Sequence, residues 1–129
     1  MRNHTESNLQ QACVRWWKMQ YPQYSKLLIA IPNHAVLSGD ASQRARQWKR
    51  LEAEGAVTGA ADMVLFMPKR NHLKMVEAMM LGCFFELKTH KGKQSPQQKE
   101  FQKQVEAQGY EYVIIKDIES FIKKVKEYI

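Results

Sequence analysis

Acidic residues set inside apolar strands are what most narrow the folds open to this 129-residue chain. Asp62 opens the run Asp62-Met63-Val64-Leu65-Phe66-Met67, and Glu86 lies within Cys83-Phe84-Phe85-Glu86-Leu87-Lys88, 24 positions further on. Residues two apart in a strand share a face, so Glu86 and Lys88 project together while Leu87 turns to the other side. If these strands are neighbours, Asp62 joins the pair, and the fold must accommodate two carboxylates on one sheet face. The plain alternative is an ordinary same-face ion pair of Glu86 with Lys88 on a half-exposed strand, with Asp62 merely at a strand start. The apolar neighbours Cys83, Phe84 and Phe85 argue against a solvated face.

The remaining elements follow from periodicity and punctuation. Leu9, Cys13, Trp16 and Trp17 recur at helical spacing and predict a helix over residues 5–20, with Pro22 just beyond it. Residues 27–31 form an apolar run stopped by Pro32-Asn33, which suits a strand buried on both faces, although periodicity does not exclude a buried helical segment. Ser42 is placed to cap a second helix running to Glu54 and closed by Gly55. Residues 62–67 predict a strand ended by Pro68. Residues 71–81 are ambiguous, with a short helix ending at Gly82 as one reading. Residues 83–88 resume strand character. Ser95-Pro96-Gln97-Gln98 combines an N-cap, a proline at the first helical position and a capping box, and predicts a helix to Gln108 with Gly109 as its stop. Residues 110–116 predict a strand, after which Asp117 can cap a last helix with Ile118, Phe121, Ile122, Val125 and Ile129 on one face. The order predicts one α/β domain over residues 1–129 with a central mixed β-sheet flanked by helices. The segment from residue 83 to residue 116 should form a right-handed parallel crossover.

Twenty Lys and Arg against thirteen Asp and Glu give a formal charge of +7, which favours polyanionic partners and makes nucleic acid the first candidate. Cys13 and Cys83 lie in apolar stretches and form no C-x-x-C pair, so they read as buried reduced thiols rather than a disulfide or zinc site. No apolar run approaches the roughly 20 residues needed to span a bilayer, and the N-terminus is polar. A cytoplasmic protein with no membrane partner is expected.

Two carboxylates at close range repel and raise each other's pKa, whereas a divalent cation between them removes that penalty and takes hard oxygen ligands. Magnesium or manganese fits such a site, and either ion can acidify water for attack on a phosphorus centre. Lys88 would orient that water and offset charge on the pentacovalent phosphate.

These residues resemble the virus-type replication-repair nuclease (VRR-NUC) domain, a branch of the PD-(D/E)XK nucleases. The likeness runs from Glu6 through Pro32-Asn33, Gly55, Gly59-Ala60-Ala61-Asp62, Phe85-Glu86-Leu87-Lys88 and Ser95-Pro96-Gln97-Gln98 to Gly109-Tyr110. The resemblance implies a restriction-endonuclease-like core and a dimeric, Mg2+- or Mn2+-dependent endonuclease acting on branched DNA such as four-way junctions. It makes Asp62 and Glu86 metal ligands with the Leu87 backbone carbonyl, Lys88 the catalytic lysine, Glu6 an additional acidic residue that could act through water, and Gln98 a supporting polar residue. Glu6 could instead complete a capping box begun by Asn3, and helix capping alone would explain Gln98. Ala61 stands where the superfamily has its proline, a position that supplies no ligand. The stretch 69–82 is longer than the family's usual link, and its Val76-Glu77-Ala78-Met79 imitates the acidic motif without a lysine two positions after Glu77.

Arg44, Arg46, Lys49 and Arg50 on the second helix, with Lys91 and Lys93 after the active strand, are the natural DNA phosphate contacts. Each alone could equally be a solvated surface charge, and His34 and His90 are given no role. Two other classes compete with the enzyme: a DNA-binding module that keeps the fold without cutting, and a small subunit whose basic surface meets an acidic protein. Flaps or linear DNA are the alternative substrates for the nuclease.

Overall fold

The computed structural model describes residues 4–32, 37–69, 80–89 and 91–129. Helix α1 (His4–Gln20), a 3-10 helix (Pro22–Leu27), strand β1 (Leu28–Ala30), helix α2 (Ala41–Ala53), strands β2 (Met63–Leu65) and β3 (Cys83–Leu87), helix α3 (Pro96–Ala107), strand β4 (Glu111–Ile115) and helix α4 (Ile118–Tyr128) follow in that order. The strands form one mixed sheet ordered β1-β2-β3-β4. β1 with β2 and β2 with β3 are antiparallel; β3 with β4 is parallel, joined through α3 as the sequence predicts. Most of segment 71–81 lies outside the described residues, as do Asn33, His34, Glu77 and His90. No helix among the described residues is long and apolar enough to cross a membrane.

Strand alternation divides the sheet into two chemically different faces. One carries Leu28, Met63, Leu65, Cys83, Phe85, Leu87 and Ile115, all buried against Cys13 and Trp17 of α1 and Phe121, Val125 and Tyr128 of α4. Aromatic packing knits this layer: the Phe85 and Phe121 rings lie 5.0 Å apart, and Trp16 meets Phe121 edge-on at 6.0 Å. The polar ends of the large side chains are satisfied within it. Trp17 Nε1 donates to the Tyr24 carbonyl at 3.0 Å, and the Tyr128 hydroxyl donates to the Met67 carbonyl at 2.8 Å. Both cysteines are free and buried, and burial pushes the Cys13 thiol up to about 12. The opposite face carries Val64, Phe84, Glu86 and Tyr112 and is covered by α3, whose Phe101 meets Phe84 edge-on at 5.3 Å.

Three local expectations are corrected. Asp40, not Ser42, caps α2: its side chain accepts from the Gln43 amide at 2.8 Å, and the Gln43 side chain reaches back to the Asp40 N–H at 2.8 Å. Ser42 lies inside the helix and accepts from Arg46 at 2.9 Å. β1 is an edge strand rather than one buried on both faces: Leu28 is buried, while Ile29 is 45% exposed. β2 is shorter than residues 62–67, yet its hydrogen bonds run past both ends, from Asp62 N–H to the Phe85 carbonyl at 3.0 Å and from Phe66 N–H to the Leu27 carbonyl at 2.9 Å. The 3-10 helix, begun by Pro22, has no counterpart in the sequence reading.

Replacing Tyr128 by Phe would leave the buried Met67 carbonyl without its donor and is expected to cost about 1–2 kcal/mol. Urea unfolding with an unchanged m value measures this; a loss under about 0.3 kcal/mol would mean the carbonyl finds water instead.

Candidate active site

Asp62 immediately precedes β2 and adjoins Glu86: Met63 pairs with Phe85 across antiparallel strands, and the Asp62 N–H donates to the carbonyl of that same Phe85, one residue out of the ladder's register. Asp62 is 2% exposed and Glu86 1% exposed, so two carboxylates share a dry sheet face. Each has named support. Asp62 Oδ2 accepts from the Leu87 N–H at 2.7 Å. Glu86 Oε2 accepts from Gln98 Nε2 at 3.0 Å and lies 3.8 Å from Lys88 Nζ. The same-face placement of Glu86 and Lys88 read from strand alternation is therefore found, as an ion pair with the lysine on the more open side.

Gln98 reaches Glu86 because α3 starts where it does. Ser95 Oγ accepts from the Gln98 N–H at 3.1 Å, and Gln98 Oε1 accepts from the Ser95 N–H at 2.9 Å, closing the capping box. With its oxygen engaged by the helix end, the amide has only its nitrogen to offer the carboxylate. Gly59 holds the opposite wall close. At φ +90°, it lies so near α3 that a Cβ would meet the Gln97 backbone at 2.6 Å. Gly92 plays a lesser part, packing on the aliphatic stem of Lys88.

Burial raises the Glu86 pKa from its ordinary 4.5 to about 8, helped by the Asp62 charge and more weakly by Glu6, and opposed by Lys88. Glu6 is thus near enough to be felt from the first turn of α1, where it is half-buried. Among the described residues, no three His, Cys, Asp or Glu side chains gather into an ion cage. The donor set nevertheless fits a small hard cation that binds through one or two carboxylates and keeps several waters. Glu86 Oε1 accepts from no donor, and the closeness of the two carboxyls lets a hydrogen bond with Asp62 help hold the Glu86 proton; a divalent cation would take the place of that proton.

Of the other residues expected at the site, Leu87 enters through its N–H. Lys91 and Lys93 are exposed on the loop before α3, and Arg44, Arg46, Lys49 and Arg50 are exposed on α2, which has no buried residue. Arg44 also donates to the Gly39 carbonyl at 2.6 Å. The sequence reading missed Tyr112 and Gln94. Tyr112 shares the face of Glu86, its hydroxyl accepts from Gln94 Nε2 at 3.3 Å, and its pKa is pushed up to about 12 by burial, against the Gln94 bond and with the charges of Glu86 and Asp62. Alternation along residues 110–116 was the available signal; what it could not supply was the register against β3.

Two predictions follow from this geometry. The folded protein holds the Glu86 proton over a pH range in which the unfolded chain has released it, so metal-free stability should fall as pH rises from about 4.5 to about 8. Glu86→Gln should flatten that slope and raise the melting midpoint at pH 8 by about 4 °C or more; melts showing the same slope in both proteins would refute the assignment. Gly59→Ala should cost about 1–3 kcal/mol through backbone strain and the clash with Gln97, read by denaturant unfolding. A neutral substitution would show that the loop and α3 separate freely.

The family model for the VRR-NUC domain matches residues 4–116. No curated protein matches the chain. A solved structure described as a "VRR_NUC domain protein" superposes with a TM-score of 0.70 at 21% identity, covering 100% of this chain and 91% of that one, and shares its fold. With the family match spanning all but the last helix and the extreme N-terminus, the chain belongs to the VRR-NUC family of nuclease-type domains.

Proposed function

We propose that the protein is a Mg2+- or Mn2+-dependent endonuclease that hydrolyses phosphodiester bonds in DNA, preferring branched structures and acting as a homodimer. The observation that carries this reading is the buried pair Asp62 and Glu86, with Lys88 3.8 Å from the second carboxylate. A structural ion pair would need one carboxylate; the second raises the electrostatic cost and calls for a divalent charge.

Asp62 and Glu86 would hold the ion, with the Leu87 carbonyl and, through water, Glu6 completing its surroundings. When bound, the ion supplies positive charge that acidifies water and draws negative charge away from the phosphorus centre. Gln98 engages Glu86 Oε2, and Oε1, which accepts from no donor, would be the oxygen offered to the ion. Lys88 Nζ would orient the attacking water and balance charge on the phosphate as the water oxygen bonds to phosphorus and the bond from phosphorus to one sugar oxygen breaks, that oxygen leaving with a proton from solvent. The basic residues of α2 and Lys91 and Lys93 would hold backbone phosphates, which predicts steeply salt-dependent binding. A homodimer would offer two sites to two strands of a junction.

The deciding assay is cleavage of end-labelled four-way junction, flap and linear duplex DNA by wild type and Lys88→Ala, with Mg2+, Mn2+ or chelator. Metal-dependent cutting of branched DNA that falls by about 10²–10³-fold in the variant is expected. Salt-sensitive binding without cutting in either metal would make the protein a non-catalytic DNA-binding module.

A further inference from the structure

Beside the carboxylates, on the same face of the sheet, a hollow of about 490 Å³ opens between α2, the loop after it, and α3. Its walls place it against the site. Ile31, whose N–H donates to the Asp62 carbonyl at 2.8 Å, lines one side. Ala60 and Phe84, each two residues before Asp62 and Glu86 respectively, line others. Resting on the nuclease reading above, we propose that this hollow receives a nucleobase unstacked from the DNA next to the bond that is cut.

The chemistry of the walls selects a base over the other parts of a nucleotide. Leu51, Val57, Phe84 and Phe101 make the lining predominantly apolar, which suits the flat faces of a heterocycle and not a phosphate. Phe84 and Phe101 stand edge-to-face at 5.3 Å, each also packed on a tyrosine ring, Tyr110 at 5.4 Å and Tyr112 at 6.5 Å, and both line the hollow, so a base entering it meets aromatic side chains. Glu54 is the charged residue of the lining: it repels phosphate and can accept from an exocyclic amine of adenine, cytosine or guanine. The volume lies within the range of roughly 300–1,000 Å³ usual for small-ligand sites.

Charge complementarity places the rest of the nucleotide outside. Arg46 and Arg50 line a separate polar hollow on α2, and Arg50 immediately precedes Leu51 in the wall of the apolar one. A strand whose phosphates follow α2 would therefore pass the mouth of the hollow, where Val57 is 52% exposed, on its way to the carboxylates. Unstacking a base costs least at a branch, mismatch or single-stranded end, so occupation of this hollow would itself favour branched over continuous duplex DNA.

The test uses Lys88→Ala protein, which retains the hollow, with junction and flap DNA carrying 2-aminopurine at successive positions around the branch. Emission at one position should rise on binding, because the probe leaves its neighbours. Val57→Asp, placed at the exposed mouth, and Ala56→Trp, which fills the hollow, should each abolish that rise and weaken branched-DNA binding about 10-fold. Circular dichroism should stay unchanged in both, and the salt slope should stay unchanged in Ala56→Trp, which adds no charge. Emission that rises nowhere, or rises equally in both variants, overturns the proposal, as does a shift from dimer to monomer in sedimentation of Val57→Asp, which would make the hollow a subunit interface. Metal-dependent cutting by the wild type with no base response removes this proposal alone; absence of DNA binding removes the nuclease reading with it.

Discussion

Two carboxylates held side by side away from water impose a cost that neighbouring structure must offset, and much of the architecture can be understood as doing so. An uncompensated buried charge is worth several kcal/mol against folding. Asp62 is met by the Leu87 N–H, and Glu86 by the Gln98 amide and the Lys88 ammonium. These partners come from β3, from the start of α3 and from the residues just past the ladder. The sheet register, the position at which α3 begins and the tight passage at Gly59 are therefore interdependent. Shifting any of them by one residue would leave a carboxylate facing an apolar wall.

The two sheet faces divide the work. The α1 and α4 side is a continuous apolar layer in which Trp17, Phe85, Phe121 and Tyr128 are buried and their polar ends bonded. It can carry most of the stability without reference to the chemistry opposite. The α3 side mixes charge, amide groups and aromatic rings, and α2 beside it buries none of its residues. Destabilising features thus collect where ligand would contribute binding energy, and the layer behind them bears the cost.

Local signals in the sequence were reliable where one segment decides its own structure. The apolar stripe of α4 and the Ser95 to Gln98 capping box required only neighbours in the chain. Asp40 and Ser42 are both good caps, and the choice between them fell to Gln43, whose side chain reaches back to Asp40. The Asp62 and Glu86 pairing was legible because charged residues within apolar strands are costly and point to a shared partner. Exposure of Ile29 was not legible, because an apolar triplet reads alike at an edge and at the centre of a sheet. Tyr112 and Gln94 were missed for a related reason: their nearness to Glu86 depends on the parallel register of β4, which no local pattern encodes.

The double engagement of Gln98 ties helix initiation to electrostatics at a single side chain. Glutamate would serve the capping box equally well, since either residue can reach back to the cap's N–H. At this position, however, it would set a third acid against Glu86 and remove the amide that stabilises it. Helix initiation therefore tolerates either residue, while the buried carboxylate accepts only the amide, so the identity of residue 98 is decided by the charge it faces rather than by the helix it begins.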